Sequence, residues 1–228
     1  IMALDECPPF GAPRTKVEEA VRRTLLWARR CADSHTGSDR QALFPIVQGG
    51  AFSDLRAEAA RRLVAEVPAR GYAIGGVSVG EPHDLMMEAV EAAVAHLPAD
   101  RPRYLMGVGR PRDILGAVRR GVDLFDCVLP TRNGRNASAF TFQGTLRLRN
   151  QQYDADTGPI EEGCDCPACC EFSRGAIRHF FQVGEMLGPI LVSLHNLRFF
   201  VRFFERIRES IAVGRFGELE DTLLRTIG

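Results

Sequence analysis

The stretch "GYAIGGVSVGEPHDLMMEAVEAAVAHL", residues 71–97, carries the reading of the fold. It opens on a short apolar run that breaks at Gly75 and Gly76 and ends at Glu81. Leu85, Met86, Ala89, Val90, Ala93, Val94 and Leu97 then recur at the spacing of one helix face. A strand, a glycine-containing loop and an amphipathic helix make one βα unit. Outward from it, the same grammar repeats in "IMALDE" (1–6), "ALFPIVQGG" (42–50), "RYLMGVG" (103–109) and "VDLFDCVLP" (122–130). Leu55, Ala59, Leu63 and Val67 mark one intervening helix. "RPRDILGAVRRG" (110–121) marks another, begun by Pro111 and Asp113 and stopped by Gly121. The class is therefore α/β with a parallel sheet. Asp5, Gln48, Gly76, Glu81, Gly107 and Asp126 all sit at the C-terminal ends of the apolar runs. In a β/α barrel, as in an open doubly wound sheet, those ends gather on one face, where chemistry is built. Periodicity alone leaves barrel and open sheet as alternatives.

The 228 residues are 45% hydrophobic and 25% charged, the composition of a soluble globular chain. No apolar run reaches membrane-spanning length, and no signal-peptide pattern opens the sequence. Formal net charge is zero, so any case for a nucleic-acid partner must be local. Of the 29 basic residues only Lys16 is a lysine, an excess of arginine that codon bias also produces. No G-x-G-x-x-G fingerprint indicates a dinucleotide. None of the five histidines ends an apolar run, which argues against a metal-dependent barrel hydrolase.

After residue 130 the alternation stops. "SAFTFQGTLRLRN" (138–150) reads as a hairpin, and a long helix follows in which Leu197, Phe200, Val201, Phe204, Ile207 and Ile211 form the expected core face, closed by Gly214. Between them, "CDCPACC" sets Cys164, Cys166 and Cys169 at a spacing that wraps thiolates around a zinc ion. The fourth ligand is either the adjacent Cys170 or a histidine, His179 or His195; His195 is preferred because it is read as beginning the long helix. A closed Cys3His shell implies a structural ion and not a catalytic one.

Asp126 lies in "DLFDCVL", and an acid inside an apolar run is expected to be buried and used. It and Asp5 end the last and first strands; such acids serve as nucleophile at a sugar carbon, base acceptor, magnesium ligand or plain loop cap. Arg132, Arg135, Arg147 and Arg149 follow Asp126 as a strip suited to phosphates or bases, or simply to solvent.

Taken together, "MALDEC", "IVQGG", "GGVSVGE", "YLMGVGRPRD", "FDCVLPTRNGRN" and "CDCPACC…H" resemble, in order and over essentially the whole chain, the tRNA-guanine transglycosylases. The resemblance implies the C-terminal part of a (β/α)8 TIM-type barrel over residues 1–136, with a zinc-binding subdomain and C-terminal helices over 137–228. It implies exchange of the wobble guanine of certain tRNAs for a 7-deazaguanine, on the route to queuosine. Asp126 then matches the nucleophile at ribose C1′. Asp5, Gln48, Gly76, Val77 and Met106 match the base site, with Glu81 supporting its loop. Arg110, Asp113, Arg132 and Arg135 match RNA-contacting positions. Cys164, Cys166, Cys169 and His195 match the ligands of one structural zinc, leaving Cys170 a bystander. Cys7 and Val79 resemble the bacterial pattern, whose incoming base is 7-aminomethyl-7-deazaguanine.

The opening "IMALDEC" reads as a strand entered midway, and the resemblance implies roughly another hundred and fifty residues ahead of it, including the general acid/base. The 228-residue chain alone is accordingly expected to be inactive and poorly soluble. The expected setting is cytoplasmic, with tRNA and the base as partners, no membrane, and a homodimer at full length. Two alternatives share the fold: a tRNA-binding subunit without catalysis, and an archaeal-type transglycosylase acting on the D-arm. Retention of both Asp5 and Asp126 argues against the first.

Overall fold

The computed structural model describes residues 1–37 and 39–227 and divides into two compact units, Ile1–Cys127 and Val128–Gly228. In the first unit, α1 (Arg14–Ser34) precedes four alternating pairs and part-pairs: β1 (Ile46–Val47), α2 (Ser53–Glu66), β2 (Tyr72–Ile74), α3 (His83–Val94), β3 (Arg103–Leu105), α4 (Pro111–Arg119) and β4 (Leu124–Phe125). All pairings are parallel and the order is β1-β2-β3-β4, with Ile46 beside Ala73, Ala73 beside Tyr104 and Leu105 beside Phe125. This sequential order lacks the reversal of a doubly wound sheet and is the order of a β/α barrel. Closure is absent among the described residues. The segment expected as a first strand contributes one parallel bridge, Met2 to Phe44.

The apolar runs form strands because Val47, Ile74 and Leu105 are wholly buried between sheet and helices; each such side chain stabilises the fold by about 1.5–3 kcal/mol. The strand and helix of the βα unit at 71–97 appear as read, except that Leu85 is exposed and Met87 buried, and α4 starts at Pro111 as expected. The 21-residue α1, in a span for which the pattern above assigned nothing, buries Val17, Ala20, Val21, Thr24, Leu25 and Ala28. On α2 the buried row is Arg56, Ala59, Ala60 and Leu63, so an arginine stands where Leu55 was expected to face the core.

In the second unit, α5 (Leu129–Arg135) leads into the hairpin β5 (Ser138–Thr141) and β6 (Gly144–Arg147), then α6 (Pro167–Glu171), α7 (Arg174–Gln182), α8 (Leu187–Ala212) and α9 (Phe216–Ile227). The units divide nine residues before the boundary expected at 136, and α5 lies in the second: a Cβ at Gly134 would stand 2.4 Å from Ser193 Oγ of α8. The core face of α8 agrees with expectation at Phe200 and Ile207 and differs elsewhere. Leu191, Val192, Phe199, Phe200, Phe203 and Ile207 are buried, whereas Leu197, Val201 and Ile211 are exposed. Phe199 stacks on Phe203 and Phe140 at 6.0 and 5.7 Å. Phenylalanines occupy two adjacent rows of this helix, and hydrophobicity does not choose between them. The helix does end at Gly214, whose φ is +70°.

Candidate active site and metal centre

In the first unit the strand ends bring four expected groups together. The Gln48 Nε2 donates to Asp5 Oδ2 at 2.6 Å, while Gln48 Oε1 is buried without a partner among the described residues. Gly76 lies directly over that oxygen: a Cβ there would come within 2.2 Å of it, and φ is +64°. Asp5 is set by α1, because buried Thr24 Oγ1 accepts from the Glu6 amide at 3.0 Å and Arg23 pairs with the Glu6 carboxylate. Burial, then the Asp5 charge, push the Cys7 thiol up, and hydrogen bonds from the Gly76 amide and Gln48 oppose them. The following loop is held by Glu81, whose carboxylate accepts from the Ser78 and Val79 amides and keeps Ser78 at φ +61°. Beside Gly76 and Val77, a cavity of about 100 Å³ is lined by Pro8, Phe10, Val17, Phe52, Val79 and Leu85.

Behind these loops lies Arg56, wholly buried, donating to Gly50 O at 2.6 Å, Gly75 O at 3.0 Å and Gly76 O at 2.9 Å. Burial pushes its guanidinium down to about 10, so it stays charged near neutral pH. Sequence reading passed over it. The available signal was a cation on the apolar row Arg56, Ala59, Ala60, Leu63.

Asp126 ends β4, where Tyr104 Oη donates to its Oδ1 at 2.6 Å and the Gly107 amide donates to the same oxygen at 2.8 Å. The expectation that this acid is buried is corrected: Asp126 is exposed. β4 is two residues long and lies last in the described four-strand order, with Leu124 45% exposed. Burial, then the hydrogen bond to Asp126, push the Tyr104 phenol up to about 12. Met106 is half-buried on the adjoining turn, its amide donating to Ile74 O at 3.1 Å.

The charged positions divide. Arg110 is exposed at the N-cap of α4, but Asp113 is held by His83 Nδ1 at 2.7 Å. In the second unit Arg132 and Arg135 are exposed in the last turn of α5. Arg149 leaves the expected strip: its guanidinium lies 5.1 Å from the Phe181 ring centre and donates to Phe181 O.

The second unit also assembles the cysteine cluster. The ligand atoms of Cys164, Cys166, Cys169 and His195 lie within 4.8 Å of one another, and His195 Nδ1 is 3.8, 3.6 and 3.3 Å from the three sulfurs. A tetrahedral shell with zinc–sulfur and zinc–nitrogen bonds of about 2.3 and 2.05 Å sets sulfur–nitrogen separations at about 3.6 Å, so these residues fit such an ion. His195 Nε2 donates to Phe140 O at 2.7 Å, which presents Nδ1 to the cluster. His179 and Cys170 are exposed and outside the group. His195 does not begin the long helix as expected. It lies in the third turn of α8, and the hairpin carbonyl aims it. Hydrogen bonds from Cys169 and His195 hold the Cys166 thiol down, while the Cys166 bond and burial push Cys169 up.

The family model described as queuine tRNA-ribosyltransferase matches residues 1–228. The queuine tRNA-ribosyltransferase of Symbiobacterium thermophilum is 51% identical over 225 residues, 98% of this chain and 56% of that protein. Proteins of the same name from Caldanaerobacter subterraneus subsp. tengcongensis and Solidesulfovibrio magneticus are 48% and 50% identical, over 99% and 95% of this chain and 60% and 58% of their own lengths. The chain thus spans less than two thirds of these relatives.

Proposed function

Because the chain belongs to the queuine tRNA-ribosyltransferase family, we propose that its strand-end face carries the base site and nucleophile of a tRNA-guanine transglycosylase. The observation that carries this reading is the pairing of Asp126, with both donors on one oxygen, and the Asp5–Gln48–Gly76 group on the same unit. Guanine presents a carbonyl acceptor beside N–H donors. Its edge replaces the Asp5–Gln48 bond: Asp5 accepts from the ring and amino N–H groups, and Gln48 and the Gly76 amide donate to the 6-oxygen. Val77 offers a backbone carbonyl, and Met106 an apolar wall to the ring.

Oδ1 of Asp126 is held by Tyr104 and Gly107, which assigns bond formation to Oδ2. Attack on ribose C1′ forms an ester bond as the bond to guanine N9 breaks and its electron pair leaves with the base. The incoming 7-aminomethyl-7-deazaguanine attacks C1′ through its own N9 and frees the carboxylate, the N9 proton it gives up balancing the one the expelled guanine takes up, and two inversions give retention. The barrel of eight strands, the cytoplasmic setting and the homodimer belong to this reading at full length. Among the described residues no helix is long and apolar enough to cross a membrane. Arg110, Arg132 and Arg135 are proposed to meet RNA phosphates, while Asp113 acts through His83 to fix the start of α4. The Cys3His group is proposed to hold zinc, which when bound stabilises the hairpin–α8 junction and has no open position for chemistry.

The test is denaturing gel electrophoresis of the full natural-length polypeptide with guanine-34 tRNA. A covalent RNA adduct that Asp126→Asn abolishes, with tRNA binding retained, is the expected result. An intact adduct in that variant refutes the assignment, and no adduct in either protein favours a binding subunit.

A further inference from the structure

Every carbonyl that Arg56 holds belongs to a peptide unit whose N–H points the other way. The described peptide bonds are trans, and in a planar trans peptide the C=O and N–H vectors are opposed. Gly75 O on Nη1 therefore turns the Gly76 N–H away from the guanidinium, and Gly76 O on Nη2 does the same for Val77 N–H. Gly50 O on Nε ties the loop after β1 to the loop after β2 through the same side chain. The Gly76 amide then bonds to Cys7, and Gly76 itself lies against Gln48, where a Cβ would collide with Oε1. No other described group holds Gly75 O and Gly76 O together, and Gly49 leaves Arg56 its room, since a Cβ there would stand 2.6 Å from the arginine Cγ.

We propose that Arg56 is a positioning residue for base recognition, the group that aims the Gly76 N–H at the 6-oxygen of an oxopurine by clamping the carbonyls of Gly50, Gly75 and Gly76. This rests on the reading of the site as a guanine site. Arg56 touches no base atom. Its buried charge also polarises the three peptide units it holds, making their N–H groups stronger donors. Lysine, with a single ammonium on a flexible stem, cannot span three carbonyls in two loops.

The experiment is calorimetric binding of guanine and 6-thioguanine to the full natural-length polypeptide, wild type, Arg56→Lys and Arg56→Met. The two probes share their N–H donors and differ in the acceptor at position 6, where sulfur is the weaker. Positioning predicts that both variants weaken guanine by about tenfold or more while 6-thioguanine changes by less than about twofold, the loss being confined to one donor–acceptor contact. Equal losses for the two probes mean that Arg56 merely supports the fold, and overturn the proposal. So does unchanged guanine affinity, or failure of both variants to fold as judged by circular dichroism. A wild type that binds neither purine refutes the guanine-site reading itself, before Arg56 is at issue.

Discussion

Asp126 is distinguished at the residue scale by where its hydrogen bonds fall, since two donors on Oδ1 restrain the carboxylate and leave one oxygen for bonding. Removing one donor costs orientation, not charge. Tyr104→Phe is expected to slow adduct formation about tenfold, the equivalent of one hydrogen bond to a charged group of about 1.5 kcal/mol, with tRNA affinity unchanged. An unaltered rate would show that Gly107 alone suffices. The same tyrosine supplies a pH test. Its phenol is raised from 10.0 to about 12, so the folded state keeps it protonated longer than the unfolded chain does. The stability it contributes is complete below pH 10 and is lost as pH rises toward 12. Phenolate absorbance of wild type minus Tyr104→Phe should rise near pH 12; a step near 10 would contradict the burial of the phenol and its pairing with Asp126.

Helix α8 is the element on which sequence and structure part most clearly. Its buried row runs through His195, Asn196, Phe199, Phe203 and Ile207, and the two polar members look like solvent-facing residues in a hydrophobic plot. They are buried because each is spent on backbone: His195 donates to Phe140 O, while Asn196 accepts from Phe140 N–H and donates to Pro130 O and Ser138 O. The assignment of faces has a direct test in thermal or urea unfolding of the full natural-length polypeptide. Phe199→Ala should destabilise by about 3–5 kcal/mol, whereas Leu197→Ala on the exposed row should stay within about 0.5 kcal/mol. Equal effects would restore the face through Leu197, Val201 and Ile211.

Across the whole molecule, the metal cluster lies entirely in the second unit and the acidic strand ends lie entirely in the first. Metal binding to a Cys3His shell is folding free energy for the segment that carries it. A calorimetric scan should therefore show a transition that a chelator lowers sharply and another that it leaves in place. One metal per chain should be released as the first is lost. A single transition, or two that shift together, would mean that the units do not unfold independently.

What the sequence by itself determined was the grammar: parallel βα units, which strand ends hold acids, amides and glycines, and a thiol cluster at metal-binding spacing. These are local properties, set by periodicity of 2 or 3.6 and by neighbours a few residues away. Only the tertiary structure decided the rest. It chose His195 over His179 because a hairpin carbonyl 55 residues away orients the imidazole. It gave Asp126 its partners, Tyr104 and the Gly107 amide from the neighbouring strand and turn, which no run of apolar letters records. It buried Arg56 because three carbonyls from two loops converge on one helix position, and that convergence exists only once the chain has folded back on itself.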